Sequence, residues 1–400
     1  MPSVDFRLLF VGILSEGYIE IMENLQDDLS ILIPDGQSRF ALLVVRCLSH
    51  VNGVKVHVLS SDPWARVRFS RYCSSFTYHD GTHDDETVLR EIIRTAQREK
   101  ASILLPVSES GIRFVAARLI ELNTMFIAPI PQLDKFDIAV NKWKFADFMQ
   151  THSIPTPRTI LFRKNVSFNE QMEGLKFPVL LKPTRSTNGS GIIQFDDIAS
   201  LERFFEARIN DASEYIIQDY VNGYDIDCSV LCRDGEIVAH TIQKGIISNP
   251  QRFHPPSAIE FMGHEEVLEV ASKLVCDLCW NGVAHIDMMV DAENDRVVVI
   301  ELNARYWGSL MGSLKAGVNF PFLAAIAGLG QPTPNVSFRN IRYIEPFVAL
   351  KLLTRRPFLH CAGGLPLSES GWCYFLADPL ATIAGKIIPM LRNMKLTNSD

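Results

Sequence analysis

The sequence has no cluster of lysine and arginine residues, although it is 400 residues long. Its 39 basic and 46 acidic side chains give a formal net charge of −7. Nucleic acids and membrane surfaces are bound through concentrated positive charge, so we expect no nucleic-acid and no membrane partner. The longest early apolar run, residues 8–14, is too short to cross a bilayer and lacks the flanks of a signal peptide. We therefore expect a cytoplasmic protein.

The cysteine pattern is not typical of a metal site. Eight cysteines are scattered along the chain, and Cys276 and Cys279 form one C-x-x-C pair inside the predicted helix 267–280. A zinc site would need a second ligand pair. A redox pair would be expected at the start of a helix rather than near its end. The pattern therefore predicts buried thiols in a reducing compartment.

Two glycine-rich nucleotide motifs are also absent. No G-x-G-x-x-G follows the first predicted strand of residues 31–130, and no G-x-x-x-x-G-K-[ST] sequence occurs. The first absence disfavours a dinucleotide site, and the second excludes a Walker A loop.

The composition predicts a packed globular protein of two or three domains, because 47% of the residues are hydrophobic and 21% are charged. In residues 31–130, short apolar strands alternate with helices, which predicts a doubly wound parallel sheet. Ligands of such sheets bind beyond the carboxyl ends of the strands, where Asp62, Ser108 and Glu109 lie. Residues 1–30 form an N-terminal extension of unclear role, and the role of residues 331–400 is equally unclear.

The most informative stretch is a predicted β-hairpin. Two apolar-rich segments, residues 284–290 and 297–304, flank a polar turn. Because side chains alternate along a strand, Glu301, Asn303 and Arg305 share one face. The opposite, apolar face is predicted to consist of Ile300, Leu302 and Ala304.

Folding this hairpin symmetrically about Asn294 places Asp287 opposite Glu301. Like charges at directly opposed positions are destabilising. A divalent cation would remove the conflict, since carboxylate and carbonyl oxygens are the ligands that Mg²⁺ prefers. Arg305 would suit phosphate oxygens. The alternative is that both carboxylates are ordinary exposed strand residues, and a slip of one residue would move Asp287 to the other face.

Two lysines also indicate an anionic ligand. Lys142 lies in the first turn of the predicted helix 141–150, where the helix dipole disfavours a cation unless an anion is near. Lys182 continues the apolar strand 179–181, and a buried ammonium without an anionic partner is costly. A solvated surface lysine is the alternative for Lys142.

The loop 184–191 joins two predicted strands and contains small residues and glycines. Glycine lets backbone N–H groups approach phosphate oxygens closely, although such a loop can also be a simple flexible hairpin. Further along, Asp225 and Asp227 lie at alternate strand positions, where they could form a solvent-facing edge. The proline-rich loop 248–257 is either a lid over a substrate or an ordinary loop.

Taken in order, these segments resemble the ATP-grasp superfamily, in particular its carbamoyl-phosphate-synthase-like and carboxylate–amine ligase group. The resemblance covers residues 131–330 and rests on Asn141-Lys142, the segment 177–183, the glycine-bearing loop, the segment 218–221 and the hairpin. It implies an α/β and α+β protein in which an ATP-grasp fold follows a doubly wound parallel α/β (pre-ATP-grasp) domain at 31–130. The implied small lobe covers about residues 141–218 and the large lobe about residues 219–330.

The resemblance also implies a role for each matching residue, with ATP and Mg²⁺ (or Mn²⁺) as cofactors. Lys142 and Lys182 would hold phosphates, Asp225 would bind the ribose, and Arg305 and Lys182 would stabilise the transferring phosphoryl group. The metal ligands would be Asp287, Glu301 and Asn303. The mobile loop over the phosphates would contain Ser186, Asn188, Gly189, Ser190 and Gly191. The adenine strap would contain Gln218, Tyr220 and Val221, and further phosphate or substrate contacts would come from Lys244 and Arg252.

The activity implied by this family is an ADP-forming ligation of a small-molecule carboxylate to an amine through an acyl phosphate. Carboxyphosphate chemistry of the carbamoyl-phosphate type is an alternative, and a non-catalytic ATP-binding protein is another. A homodimer is expected because dimers are common among the relatives. The sequence does not identify the carboxylate or the amine.

Overall fold

The computed structural model describes residues 29–80, 84–186, 189–207, 214–249, 253–346, 348–349, 361–362, 365–366 and 369–397. The predictions for residues 8–14, Asn188 and Arg252 therefore lie outside the described residues.

The first described unit is a five-stranded parallel sheet with the order β3-β2-β1-β4-β5. Its strands are β1 Leu29–Ile33, β2 Val54–Ser60, β3 Ser75–Tyr78, β4 Ile103–Leu104 and β5 Phe126–Ile127. Helix α1 (Ala41–Leu48) covers one face, where Ile31 and Ile33 join its apolar side chains. Helices α2 (Asp85–Glu99) and α3 (Glu109–Ala116) cover the other face, where Leu32 packs. The strands are apolar on both faces for this reason, and the predicted doubly wound parallel sheet is confirmed.

Helices α4 (Leu133–Ala139) and α5 (Lys142–Thr151) lead into a four-stranded antiparallel sheet with the order β6-β9-β7-β8. Its strands are β6 Thr159–Leu161, β7 Val179–Pro183, β8 Ile193–Phe195 and β9 Tyr215–Asp219. Helices α6 (Phe168–Met172) and α7 (Ile198–Glu206) close a separate small core around Val179, Leu181 and Ile217.

The third unit is a six-stranded antiparallel sheet with the order β14-β13-β10-β11-β12-β15. Its strands are β10 Gly223–Arg233, β11 Glu236–Ile247, β12 Ala258–Phe261, β13 Gly282–Asp291, β14 Val297–Asn303 and β15 Arg342–Ile344. One face is apolar and packs on helix α8 (Glu265–Asp277), with Ile226 and Ile286 among its buried residues. The opposite face carries the polar side chains Asp227 and Asp287, and further along the same strands it packs Leu231 and Val283 into the core of the parallel-sheet unit.

Helices α9 (Leu310–Ala316) and α10 (Phe320–Gly328) pack into the core of the parallel sheet. The two helices do not form one continuous helix. Gly317 adopts a left-handed conformation with φ 112°, and the Asn319 side chain accepts a hydrogen bond from the Phe322 N–H and starts the second helix. Within the described part of the chain no single helix is long and apolar enough to cross a membrane. Helices α9 and α10 together are long and apolar enough, but the pair is bent by 87°.

The chain ends with helices α11 (Trp372–Ala377) and α12 (Pro379–Thr397), after the short ladder of β16 (Cys361–Ala362) and β17 (Leu365–Pro366). Between α11 and α12, the buried Asp378 accepts a hydrogen bond from Nε of Arg46 on α1 at 3.0 Å. Strand β15 ends at Ile344. Pro346 lacks the N–H group that a further ladder bond would need.

The prediction of buried thiols was wrong for the C-x-x-C pair, because Cys276 and Cys279 are both exposed. Cys276 lies on the side of α8 opposite to Leu274 and Val275, which are buried. Cys279 follows the helix in a turn with φ 48°.

Candidate functional site

The site is built on the predicted hairpin, and its central register is confirmed. Asp287 on β13 is the direct partner of Glu301 on β14. The register shifts next to this pair, because Met288 faces Val299 and Ile300 is left over in a bulge. The expectation that Ile300 belongs to the apolar face was therefore wrong: it is only half-buried, whereas Val299 is buried.

The same polar row continues across two more strands. Asp227 on β10 is the direct partner of Asp287, and Gln243 on β11 is the direct partner of Asp227. Gln243 Nε2 donates to Asp227 Oδ2 at 3.2 Å, and Asn303 Nδ2 donates to Asp287 Oδ2 at 3.2 Å. Three carboxylates therefore stand side by side on one face of the sheet. The sequence had suggested a solvent-facing edge for Asp227, whose side chain is 14% exposed.

The electrostatics of this row show an excess of negative charge. Burial, with the nearby carboxylates Asp225 and Glu301, raises the pKa of Asp227 to about 7. Burial and the charges of Asp227 and Glu301 raise the pKa of Asp287 well above its usual range. Burial also raises the pKa of Glu301, but the ammonium groups of Lys142 and Lys182 outweigh it and lower this pKa to about 2. Oxygen donors with uncompensated charge fit a hard divalent cation such as Mg²⁺.

Lys142 connects helix α5, which leads into the four-stranded sheet, with the row of carboxylates. It is the first residue of α5, where the Asn141 side chain caps the helix by accepting from the N–H groups of Trp143 and Lys144. Its Nζ lies 2.6 Å from Glu301 Oε2 and 3.4 Å from the Ser186 carbonyl oxygen. The anion expected near this lysine is therefore Glu301.

Lys182 is buried, as the sequence predicted, but its direct partner is not an anion. Its Nζ donates to Gln218 Oε1 at 2.7 Å, and Gln218 Nε2 in turn donates to Thr159 Oγ1 at 2.8 Å. Burial lowers the pKa of Lys182 to about 8, against the opposing effect of the Glu301 and Asp287 carboxylates. A neutral amide thus holds the ammonium next to the carboxylate row.

The predicted adenine strap spans the connection between the two antiparallel sheets. Gln218 lies within β9, and its side chain is occupied by Lys182 and Thr159. Tyr220 and Val221 follow the strand, and the Tyr220 N–H donates to the Pro178 carbonyl oxygen at 3.1 Å. Only the last two residues therefore lie in the connecting segment.

The glycine-bearing loop approaches the proline-rich loop. Gly189 and Gly191 have φ angles of +70° and +77°, which favour glycine. A Cβ atom on Gly189 would lie 2.7 Å from the Phe253 carbonyl oxygen. Ser186 lies beside Lys142, and Ser190 lies between the two glycines. The two loops expected to border the site are therefore neighbours.

Asp225 and Lys244 are two further residues that were predicted to contact the ligand, and they are close in sequence to Asp227 and Gln243. Asp225 is exposed on β10, two residues before Asp227. Lys244 follows Gln243 on β11, and its Nζ lies 3.7 Å from the centroid of the Tyr224 ring. Since neighbouring strand residues point to opposite faces, the structure does not bring Lys244 to the carboxylates.

Arg305 connects the row to the parallel sheet. Its Nη2 donates to Asn303 Oδ1 at 2.7 Å, and its Nε lies 3.3 Å from Glu109 Oε1. Glu109 is in the first turn of α3, beyond the carboxyl end of β4. The predicted ligand-binding edge of the parallel sheet and the hairpin thus meet at one arginine.

Sequence reasoning missed His285. Its Nδ1 shares a hydrogen bond of 2.9 Å with Ser229 Oγ, and its Nε2 lies 3.4 Å from Asp287 Oδ1. Burial and the charge of Arg305 lower its pKa to about 3, so the ring is neutral. Ligand atoms of Asp227, His285 and Asp287 all lie within 4.8 Å of one another. The available signal was a histidine two positions before Asp287 in an otherwise apolar strand.

A helix lysine, Lys142, and a strand lysine, Lys182, therefore lie close to carboxylates of the six-stranded sheet. Residues 139–309 match the family model for the ATP-grasp domain. Over these residues the chain is similar to the ATP-grasp superfamily.

The similar proteins include two ligases and a synthetase. The chain is 22% identical over 313 residues to D-aspartate ligase of Enterococcus faecium, with 71% of this chain and 73% of that protein covered. It resembles the solved L-amino acid ligase of Bacillus licheniformis with a TM-score of 0.56 and 18% identity, covering 76% of this chain and 74% of that one. It also resembles N5-carboxyaminoimidazole synthetase of Staphylococcus aureus complexed with ADP, with a TM-score of 0.64, 15% identity and coverage of 84% and 87%.

Proposed function

We propose that this protein is a Mg²⁺-dependent, ADP-forming carboxylate–amine ligase. The observation that carries the proposal is the row of Asp227, Asp287 and Glu301 facing the ammonium group of Lys142, with that of Lys182 in electrostatic range. Adjacent carboxylates fit a hard cation, and the lysines fit the phosphates that such a cation carries.

In this reaction the γ-phosphoryl group of ATP passes to an oxygen of the acceptor carboxylate, and ADP leaves. An amine then attacks the acyl carbon and expels phosphate. Asp287, Glu301 and Asn303 would hold Mg²⁺, which neutralises phosphate charge when bound. Lys142 and Lys182 would bind the phosphates, and Arg305 would offset the negative charge that develops during transfer.

The nucleotide would lie along the connection between the two antiparallel sheets. Tyr220 and Val221 would contact the adenine through backbone groups, and Asp225 would bind the ribose. The loop containing Ser186, Asn188, Gly189, Ser190 and Gly191 would close over the phosphates and exclude water, which would otherwise hydrolyse an acyl phosphate.

We divide the chain accordingly into a pre-ATP-grasp domain at 31–130, a small lobe at about 141–218 and a large lobe at about 219–330. The strand Arg342–Ile344 extends the sheet of the large lobe beyond that boundary. The homodimer remains a prediction, for which sedimentation of the purified chain is the direct measurement.

The test is a screen of carboxylate and amine pairs for Mg²⁺-dependent ADP formation. Amino acids are the first acceptors to try, because D-aspartate ligase and L-amino acid ligase are among the relatives. The proposal requires ADP release that depends on both substrates and is lost in Lys182→Ala and Glu301→Ala. Bicarbonate-dependent ATP hydrolysis without an organic acid would favour carboxyphosphate chemistry instead. ATP binding without transfer to any acceptor would favour a nucleotide-binding protein.

A further inference from the structure

Two guanidinium groups contact the same buried aromatic ring at the border of the site. The Cζ atoms of Arg39 and Arg305 each lie 4.7 Å from the centroid of the Phe40 ring. These two carbons are therefore no more than twice that distance apart. Phe40 immediately precedes α1, beyond the carboxyl end of β1, which is the ligand-binding edge of a parallel sheet.

Charged side chains of both signs lie around this ring. Arg66 belongs to the group, since its Nη2 donates to the Arg39 carbonyl oxygen at 2.9 Å. Glu109 and Glu345 are the carboxylates that act on Arg39. The guanidinium groups of Arg305 and Arg66 are therefore close enough to act on that of Arg39. Burial, together with the charges of Arg305 and Arg66, lowers the pKa of Arg39, as expected where cations crowd one another.

Arg305 and Arg39 differ in their relation to the proposed metal ligands. Arg305 donates to Asn303, a proposed metal ligand, and its side chain is 12% exposed. Arg39 is exposed and precedes Phe40 in the parallel-sheet unit. An acceptor whose reacting carboxylate lies beside Arg305 would therefore meet a second cation about one small molecule's length away.

We propose that the acceptor is a small carboxylate with a second anionic group, and that Arg39 is the residue that selects for this group. This inference rests on the proposed ligase function. The planar guanidinium fork of arginine matches a carboxylate in a bidentate manner. Glu109 acts as a positioning residue, because its carboxylate holds the Nε edge of Arg305 at 3.3 Å.

The experiment measures ADP release by the full chain with ATP, Mg²⁺ and hydroxylamine, which serves as the amine and traps acyl phosphates. Aspartate, glutamate and succinate are each compared with the matched monoamide: asparagine, glutamine or succinamate. We expect kcat/KM to be at least about tenfold higher for a dicarboxylate than for its monoamide. In Arg39→Gln we expect the KM for the dicarboxylate to rise about ten- to a hundredfold, the size of a lost charge-assisted contact. The KM for ATP should stay constant.

Arg68→Gln is the matched control. Arg68 belongs to the same parallel-sheet unit, and its Cζ lies 5.4 Å from the centroid of the Phe76 ring, outside the site. Its substitution should leave the preference for dicarboxylates unchanged. Arg39→Lys, which keeps the charge without the fork, should give an intermediate KM and provides a second test if the glutamine variant does not fold.

The outcomes separate the two proposals. If no acceptor supports ADP release, the ligase proposal fails. If acceptors are used but the monoamides perform as well as the dicarboxylates, the ligase proposal stands and the inference about Arg39 is overturned. The inference about Arg39 is also overturned if Arg39→Gln and Arg39→Lys both retain the wild-type KM for the dicarboxylate.

Discussion

The Nζ atom of Lys142 lies 2.6 Å from Oε2 of Glu301, so the first turn of α5 is joined directly to the last strand of the central hairpin. The proposed phosphate-binding lysine and a proposed metal ligand are therefore held together by one ion pair. Glu301 stays ionised because this lysine lowers its pKa to about 2, despite burial. A carboxylate that remains charged in a buried site is suited to ligate a cation over a wide pH range.

Replacing Glu301 by Gln should reduce Mg²⁺-dependent ADP formation by about a hundredfold or more, because the amide keeps the shape but loses the charge. The measurement is kcat as a function of Mg²⁺ concentration. Glu293→Gln, in the exposed turn of the same hairpin, should keep wild-type kinetics. Equal activity of both variants would remove Glu301 from the proposed site.

The pKa of Lys182, lowered to about 8 mainly by burial, predicts the alkaline limit of activity. Only the protonated ammonium attracts phosphate, so kcat/KM for ATP should fall about tenfold per unit above pH 8. An ordinary lysine would remain charged to above pH 10. The measurement is the pH profile of kcat/KM under saturating acceptor.

Two substitutions of Gln218 should move this limit in opposite directions. Gln218→Glu places an anion next to the ammonium, which raises the pKa of Lys182 and shifts the fall to higher pH. Gln218→Leu removes the hydrogen bond to the charged form and shifts the fall to lower pH. Identical profiles for both variants would show that another group sets the alkaline limit.

The central register could be predicted because a hairpin pairs residues that are close in sequence. Asp287 and Glu301 are joined by a short turn, so symmetry alone was enough to place them opposite each other. The bulge at Ile300 could not be predicted, since it depends on how the strand fits its partner rather than on its own alternation.

The remainder of the site depends on contacts between distant segments. Asp227 becomes the neighbour of Asp287 only because β10 pairs with β13, a choice that local pattern does not specify. The amide partner of Lys182 comes from another strand, and the carboxylate beside Arg305 comes from helix α3 of the parallel-sheet unit. The sequence indicated that each charge needed a partner, but the identity of that partner is set by tertiary packing.

Replacing Asp227 by Asn should have opposite effects on stability and on metal affinity. At pH 8 its carboxylate repels Asp287, so the amide should raise the melting temperature in the absence of Mg²⁺. The apparent affinity for Mg²⁺ should fall about tenfold, because one negative charge near the cation is lost. Calorimetric melting with and without Mg²⁺ measures both effects.

The control for this change is Glu236→Gln, an exposed carboxylate at the start of β11. Glu236→Gln should change neither the melting temperature without Mg²⁺ nor the apparent affinity for Mg²⁺. A lower melting temperature for Asp227→Asn without Mg²⁺ would indicate that the carboxylate is required by its hydrogen bond with Gln243, and the repulsion argument would be wrong.

Gly189→Ala should weaken nucleotide binding more than it weakens the fold. The left-handed φ of +70° costs a non-glycine residue roughly 1–2 kcal/mol. The added Cβ would also lie 2.7 Å from the Phe253 carbonyl oxygen, so the two loops could not keep their contact. We expect the Kd for Mg²⁺–ATP, measured by titration calorimetry, to rise about tenfold. Gly263→Ala is the matched control, because a Cβ there meets nothing within 4 Å. If both variants bind the nucleotide equally well, the glycine-bearing loop takes no part in holding the phosphates.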